Sequence, residues 1–145
     1  TGNKSLATEY LQHHTLKRID RQFNPDGSQP LELDRSRSWT YCIKNMNGWI
    51  GIANLASKAG VDVWHYTTPD GKSLRKGILW LLPYAAGQDE WQYEEPSAIK
   101  TKWFLPIAQT ATHIYNDNSC KAYLMKFGAS REQWSPETLL TVTNN

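Results

Sequence analysis

Asp26-Gly-Ser-Gln-Pro-Leu-Glu-Leu-Asp-Arg-Ser-Arg-Ser-Trp-Thr-Tyr41 separates two segments whose apolar spacing is helical. The stretch is too rich in turn formers and mixed charge to continue either helix. Asp26-Gly27 and Gln29-Pro30 are turn dipeptides, and Pro30 biases Gln29 towards extended backbone. A long connection between packed elements is either disordered or functional. Leu31, Leu33, Trp39 and Tyr41 supply apolar anchors, so the reading is an ordered binding or catalytic loop, with Tyr41 at the mouth of the next helix.

Upstream, the spacing predicts a helix from Ser5 to about Phe23, with Leu6, Tyr10, Leu11 and Ile19 turned inward. His13, His14, Lys17, Arg18, Asp20 and Arg21 fall on its wetter flank, and Asn24-Pro25-Asp26-Gly27 stops it. Downstream, about Tyr41 to Ala59 is apolar nearly all round, through Ile43, Met46, Trp49, Ile50, Ile52, Ala53, Leu55 and Ala56. Such a helix is expected to be buried on several sides. Gly48 and Gly51 would permit close approach of a backbone or ligand, Asn45 and Asn47 need partners if buried, and Gly60 is a natural stop.

Beyond it, Val61 to Tyr66 reads as a connector and Thr68-Pro69-Asp70-Gly71 as a tight turn, with Ser73 placed to cap a helix running to Ala85. Gly87 to Pro96 is an acidic, aromatic loop. A further helix is expected from about Ser97 to Tyr115, kinked at Pro106. A short one follows, carrying Tyr123, Leu124 and Phe127, and Ser135-Pro136-Glu137 could start one more turn. No convincing β-hairpin signal occurs. The expected architecture is all-α, a single domain over residues 1–145 built as an array of helical hairpins.

The 145 residues and 16.6 kDa suffice for one sizeable core. Seven Trp, seven Tyr and three Phe are many for this length; they either fill gaps between helices or offer flat faces to sugar rings. A net charge of +2 without a basic run argues against a nucleic-acid partner. No apolar stretch reaches the roughly 18 residues that a membrane span requires. The chain begins with Thr and shows no leader, which reads as a mature or trimmed product.

Cys42 and Cys120 fit neither a zinc motif nor a Cys-x-x-Cys site. A disulfide in a secreted chain and two buried thiols both remain open. Adjacent His13 and His14 point in different directions on a helix and form no paired metal site. No metal or cofactor is expected. Asn3-Lys4-Ser5 is a glycosylation sequon.

The chemistry concentrates where the loop meets the helix. Arg35 and Arg37 can neutralise a substrate carboxylate, and Tyr41 can move protons beside them. A guanidinium stabilises a phenolate charge and so makes a tyrosine a better base. That set suits β-elimination in a polyuronate, where the C5 proton is weakly acidic until the adjacent carboxylate is neutralised. The leaving glycosidic oxygen then needs a proton, and one tyrosine serves both steps when both lie on one face. The bland alternative is a surface ion-pair loop with a core tyrosine. Glu32 and Asp34 mimic the two carboxylates of a hydrolase, but on a single loop rather than across a scissile bond.

The run Arg18-Ile19, Gln22, then Asp26-Gly27 through Gln29-Pro30, Glu32, Arg35, Arg37, Trp39 and Tyr41 resembles the loop of the alginate lyase superfamily. Asn45-Met-Asn47, Leu55-Ala56, Ala59 to Trp64, Asp70 to Ser73, Leu81 to Tyr84 and Trp91 continue the resemblance in order, so it covers about Arg18 to Trp91. It implies an (α/α) toroid and lyase action on a uronate polysaccharide such as alginate or glucuronan. It also implies that Tyr41 is the catalytic tyrosine and that Arg37 or Arg35 sits by the substrate carboxylate. Gln29, Glu32, Trp39 and Asn45 would shape the loop or line the substrate cleft.

One departure stands beside the match. The family's upstream Asn-Asn-His-Gly-type motif has no counterpart, because His13, His14, His65 and His113 all have other neighbours. About five helices are also too few to close a toroid. The expectation is the C-terminal half of such an enzyme, secreted, with a second chain supplying the Asn and His residues and the acidic polysaccharide as the other partner. The rival readings are a non-catalytic carbohydrate-binding helical module and a purely structural helical module.

Overall fold

The helical spacing ahead of the loop becomes two helices in line, α1 (Gly2–Tyr10) and α2 (Leu16–Gln22), joined through the wider turn Leu11–Thr15. The computed structural model describes residues 2–128. In the wide turn the Leu16 N–H reaches back five residues to the Leu11 carbonyl, the signature of a π-bulge. One extra residue rotates the side-chain register by about 100°. The positions expected to share an inward face therefore separate. Ile19 is fully buried and Leu11 packs against the core, whereas Leu6 and Tyr10 stand 66% and 60% exposed.

The loop departs from expectation in two ways. It contains a one-turn helix, α3 (Pro30–Leu33), started by a proline in its first turn, where the missing N–H costs nothing. The following helix, α4 (Ser38–Lys58), begins earlier than Tyr41, which puts Tyr41 one turn inside it. Of the expected anchors, Trp39 is buried and Leu33 packs against the core, but Leu31 is exposed. Helix α4 buries one broad face, Trp39, Cys42, Ile43, Met46, Trp49, Ile50, Ala53 and Ala56, while Leu55 points outward. It is not enclosed all round, and a Cβ added at Gly48 would meet only open space.

The Thr68–Gly71 turn forms as expected, with the Gly71 N–H donating to the Thr68 carbonyl at 2.9 Å. Ser73 then caps α5 (Leu74–Ala85) by accepting the Lys76 N–H at 3.2 Å. Gly77 on α5 lies against α4 and the chain after α2: a Cβ there would come within 2.6 Å of the Phe23 ring and 2.7 Å of Met46 Cε. Gly27, at φ +96°, brings the loop equally close to α5, where an added Cβ would sit 2.2 Å from the Lys76 carbonyl oxygen.

The helix expected from Ser97 starts later. A 3-10 turn, Thr101–Phe104, leads into α6 (Leu105–Tyr115), and Pro106 occupies the first turn instead of kinking the middle. Asn116, in the left-handed region at φ 53°, turns the chain into α7 (Asn118–Phe127), which Asp117 caps through the Cys120 N–H at 3.0 Å. The turn expected at Ser135-Pro136-Glu137 lies outside the described residues. Among the described residues there is no strand, and no helix is long and apolar enough to cross a membrane.

The core joins Phe23, Trp39, Met46 and Trp49 to Leu74, Ile78, Leu81, Phe104 and Ile107, all 1% exposed or less. Cys42 and Cys120 are both free and buried within it. Burial, reinforced for Cys42 by the charges of Glu32 and Glu95 and for Cys120 by Asp117, pushes each thiol up to about 12. Of the two readings left open by the sequence, the structure carries the free thiols.

Candidate active site

The loop is closed on itself before it reaches the helix. The Asn24 N–H donates to the Ser28 carbonyl at 2.9 Å and the Gly27 N–H to the Asn24 carbonyl at 2.9 Å. Asp26 accepts both the Ser28 N–H and its hydroxyl, at 2.8 and 2.6 Å. Lys76 donates to the Pro25 carbonyl at 3.1 Å, fastening the turn to α5. Gln29 is fully buried, with its carbonyl oxygen receiving the Asn45 amide at 2.9 Å and its own amide directed to the Cys42 carbonyl at 3.4 Å. It thus sews the loop to the first two turns of α4. Of the two roles offered for Gln29, shaping the loop is the one its burial permits, and Asn45 is its partner.

The start of α4 is capped from far away in sequence. Glu95 accepts the Trp39 N–H at 3.0 Å and the Thr40 N–H at 3.4 Å on one carboxylate oxygen, and the Thr40 hydroxyl lies 3.4 Å from the other. Ser38 donates its N–H and its hydroxyl to the Glu94 carbonyl, at 3.0 and 2.6 Å, and receives the Trp91 indole N–H at 2.9 Å. Free N–H groups at a helix start carry partial positive charge, so a carboxylate there satisfies donors and complements the dipole together. Trp39 is 1% exposed, donates its indole N–H to the Lys100 carbonyl at 3.1 Å and meets Trp91 edge to face. It holds the loop to the helix, and only an edge of it reaches the wall of the cavity beside the helix start.

Tyr41 is partly buried one turn in. The Arg35 guanidinium lies over its ring, with Cζ 3.5 Å from the centroid, and Lys44 Nζ is 5.5 Å from the same ring. Glu32 approaches Arg35 to 4.0 Å. The guanidinium therefore addresses the face of the ring, not the hydroxyl. Among the described residues the Tyr41 hydroxyl has no hydrogen-bond partner. Arg37, at the residue preceding α4, is exposed and lines a cavity of about 320 Å³ beside the helix start. The structure thus gathers Arg35, Arg37, Glu32 and Tyr41 around one helix end and takes Gln29, Trp39 and Asn45 inward as its supports.

Sequence reasoning missed Lys44, Glu95, Lys100 and Trp103, which share this region. Lys44 was recoverable, since a residue three after Tyr41 on a helix lies on the same face. The other three arrive from the 95–103 segment through tertiary packing and leave no local signal. The aromatic excess resolves mostly into packing: Trp80, Tyr84, Trp91 and Tyr93 form one cluster with ring centroids 5.0 to 5.9 Å apart.

The described residues form an all-α array of paired helices, which matches part of the (α/α) toroid fold that the sequence resembles. Comparison with known proteins gives the family directly. The alginate lyase family model matches residues 1–91, and this chain belongs to that family. The crystal structure of an alginate lyase from Bacteroides ovatus superposes with a TM-score of 0.80 at 28% identity, over 100% of this chain and 38% of that one. The chain therefore spans well under half the length of that lyase. The comparison with curated proteins gives no match.

Proposed function

We propose that this chain is the part of a polysaccharide lyase that provides the proton-transferring tyrosine and a cationic wall, and that the complete enzyme cleaves a uronate polysaccharide of the alginate or glucuronan type by β-elimination. The observation that carries the reading is Tyr41, its hydroxyl unengaged among the described residues, with Arg35 stacked on its ring and Arg37 and Lys44 on the same helix end. Membership of the family supports it.

In the proposed step the phenolate of Tyr41 takes the C5 proton, the electron pair forms the C4–C5 double bond, and the C4–O bond to the next sugar breaks. The leaving oxygen receives the same proton back from Tyr41, so atoms and charge balance with no external oxidant or nucleophile. Arg37 or Arg35 neutralises the C6 carboxylate, which makes the C5 proton more acidic. Stacking on Tyr41 fixes Arg35 in place, an interaction worth about 0.5–1 kcal/mol at an exposed site. Arg37, free of a carboxylate partner among the described residues, is better placed to meet substrate. The Asn and His that assist in the family would come from a second chain, and the reaction is proposed to proceed without a metal.

The test follows unsaturated-uronate absorbance on alginate and on glucuronan with the native protein and with Tyr41→Phe. General acid–base catalysis is worth about 10²- to 10⁴-fold, so Tyr41→Phe is expected to lose at least about a hundredfold in kcat with binding kept. Unchanged product formation would overturn the proposal. The intact mass of the native sample, read beforehand, shows whether a second chain accompanies this one.

A further inference from the structure

Lys100 and Trp103 have no role in the elimination, yet with Arg37 and Lys44 they line one cavity beside it. We propose that the cavity of about 320 Å³ between the start of α4 and the 95–103 segment is a subsite for an acidic sugar ring next to the one that reacts. Its volume sits at the lower end of the roughly 300–1,000 Å³ of small-molecule sites, enough for one ring and not for a bulky ligand. The proposal rests on the reading of Tyr41 only for its position along the substrate.

The argument is one of charge and shape. Three cations, Arg37, Lys44 and Lys100, line the cavity, and among the described residues none has a carboxylate partner. The carboxylate in the wall belongs to Glu95, and its oxygens are committed to the Trp39 and Thr40 N–H groups and the Thr40 hydroxyl. It answers the helix start and leaves the three cations uncompensated. Like charges held together without a counter-ion repel, and an anion entering between them relieves that repulsion.

The fourth feature selects among anions. Trp103 is 41% exposed although it is the largest type of apolar side chain, and Lys100 Nζ lies 4.8 Å from its ring. An indole face open to solvent beside a cation suits a ligand with an apolar C–H face and a carboxylate on one rim. A uronate ring has both; a free phosphate or sulfate has only the charge, and a neutral sugar only the face. Lys44 also lies 5.5 Å from the Tyr41 ring, so a ring bound here would be continuous with one presented to Tyr41.

Calorimetric titration of the native protein with a mannuronate hexamer, a neutral cello-hexamer and inorganic sulfate decides the matter. The hexauronate is expected to bind, with the cello-hexamer and sulfate at least about tenfold weaker, in line with charge-assisted contacts worth about 1.5–3 kcal/mol each. The double variant Lys44→Met, Lys100→Met and the single variant Trp103→Ala should each weaken the hexauronate about tenfold or more. Tyr41→Phe should bind like the native protein. Lys44, Lys100 and Trp103 are exposed, and melting curves check that each variant folds. Native-like affinity in both the lysine and tryptophan variants overturns the subsite, as does equal binding of the cello-hexamer. If the lysine and tryptophan variants lose binding while Tyr41→Phe keeps full turnover, the subsite stands and the elimination role of Tyr41 falls.

Discussion

Asp117 shows how a single side chain in this protein carries more than one duty. Burial pushes its carboxyl up, but the Cys120 N–H and the Arg75 guanidinium, 2.9 Å away, outweigh this and hold it below the usual aspartate range. A carboxyl lowered in the folded state contributes stability that is present above the ordinary value of about 3.9. That contribution is lost as the pH falls through the lowered folded value. Acid unfolding followed by circular dichroism should therefore shift when Asp117→Asn removes the charge, with less stability lost as the pH falls below the ordinary aspartate range than in the native chain. An identical acid profile would show that the charge of Asp117 is not what holds α7. Gln29 is the comparable case in the loop: a polar residue that the sequence offers as a ligand contact is spent inside, on Asn45 and the Cys42 carbonyl.

The helix α4 depends on a partner 55 residues away. Its own preceding residue, Arg37, makes no side-chain cap, and the duty falls to Glu95 and the Glu94 carbonyl. Losing a side-chain cap costs about 0.5–2 kcal/mol, so Glu95→Ala is expected to lower urea-unfolding stability by that amount, and Glu95→Gln by less. Because Tyr41 is one turn beyond the cap, Glu95→Ala should also lower kcat more than it raises KM. A variant as stable and as active as the native protein would mean that Glu94 and Trp91 hold the helix start alone. This dependence explains which parts of the elements could be read locally. Helix cores followed from apolar spacing, and the stop at Gly60 and the tight turn at Thr68–Gly71 from turn chemistry. The start of α4 at Ser38 did not, because its cap comes from Glu95. The π-bulge at Leu11–Thr15 left no sign either, since it changes register without changing composition.

Across the whole chain, the all-α array was legible in the helical spacing of apolar residues, and Tyr41 and the loop arginines were singled out by an ordered series of residues along one continuous stretch. What stayed hidden was the cationic cavity, whose walls are 37 to 44 on one side and 95 to 103 on the other. Leu6 and Tyr10 raise a separate question, since the bulge turns them away from the core. If they face the second chain proposed above, Leu6→Asp with Tyr10→Ser should shift the melting temperature of this chain by no more than about 3 °C, as surface substitutions do. Recovery of the second chain with it should then be lost. Retained co-purification would place that contact elsewhere.

The close approaches at Gly27 and Gly77 limit what this sequence can become. An added methyl at either would drive into a backbone carbonyl at 2.2 Å or into two core side chains at 2.6 and 2.7 Å. Neither neighbour can retreat alone, because Lys76 and Gly77 are consecutive on α5 and Phe23 and Met46 belong to the core beneath the loop. Drift is thus closed at two positions while Gly48, with open space around it, is free to wander. Descendants of this chain can exchange Gly48 more easily than the two glycines that hold the loop and the helices together.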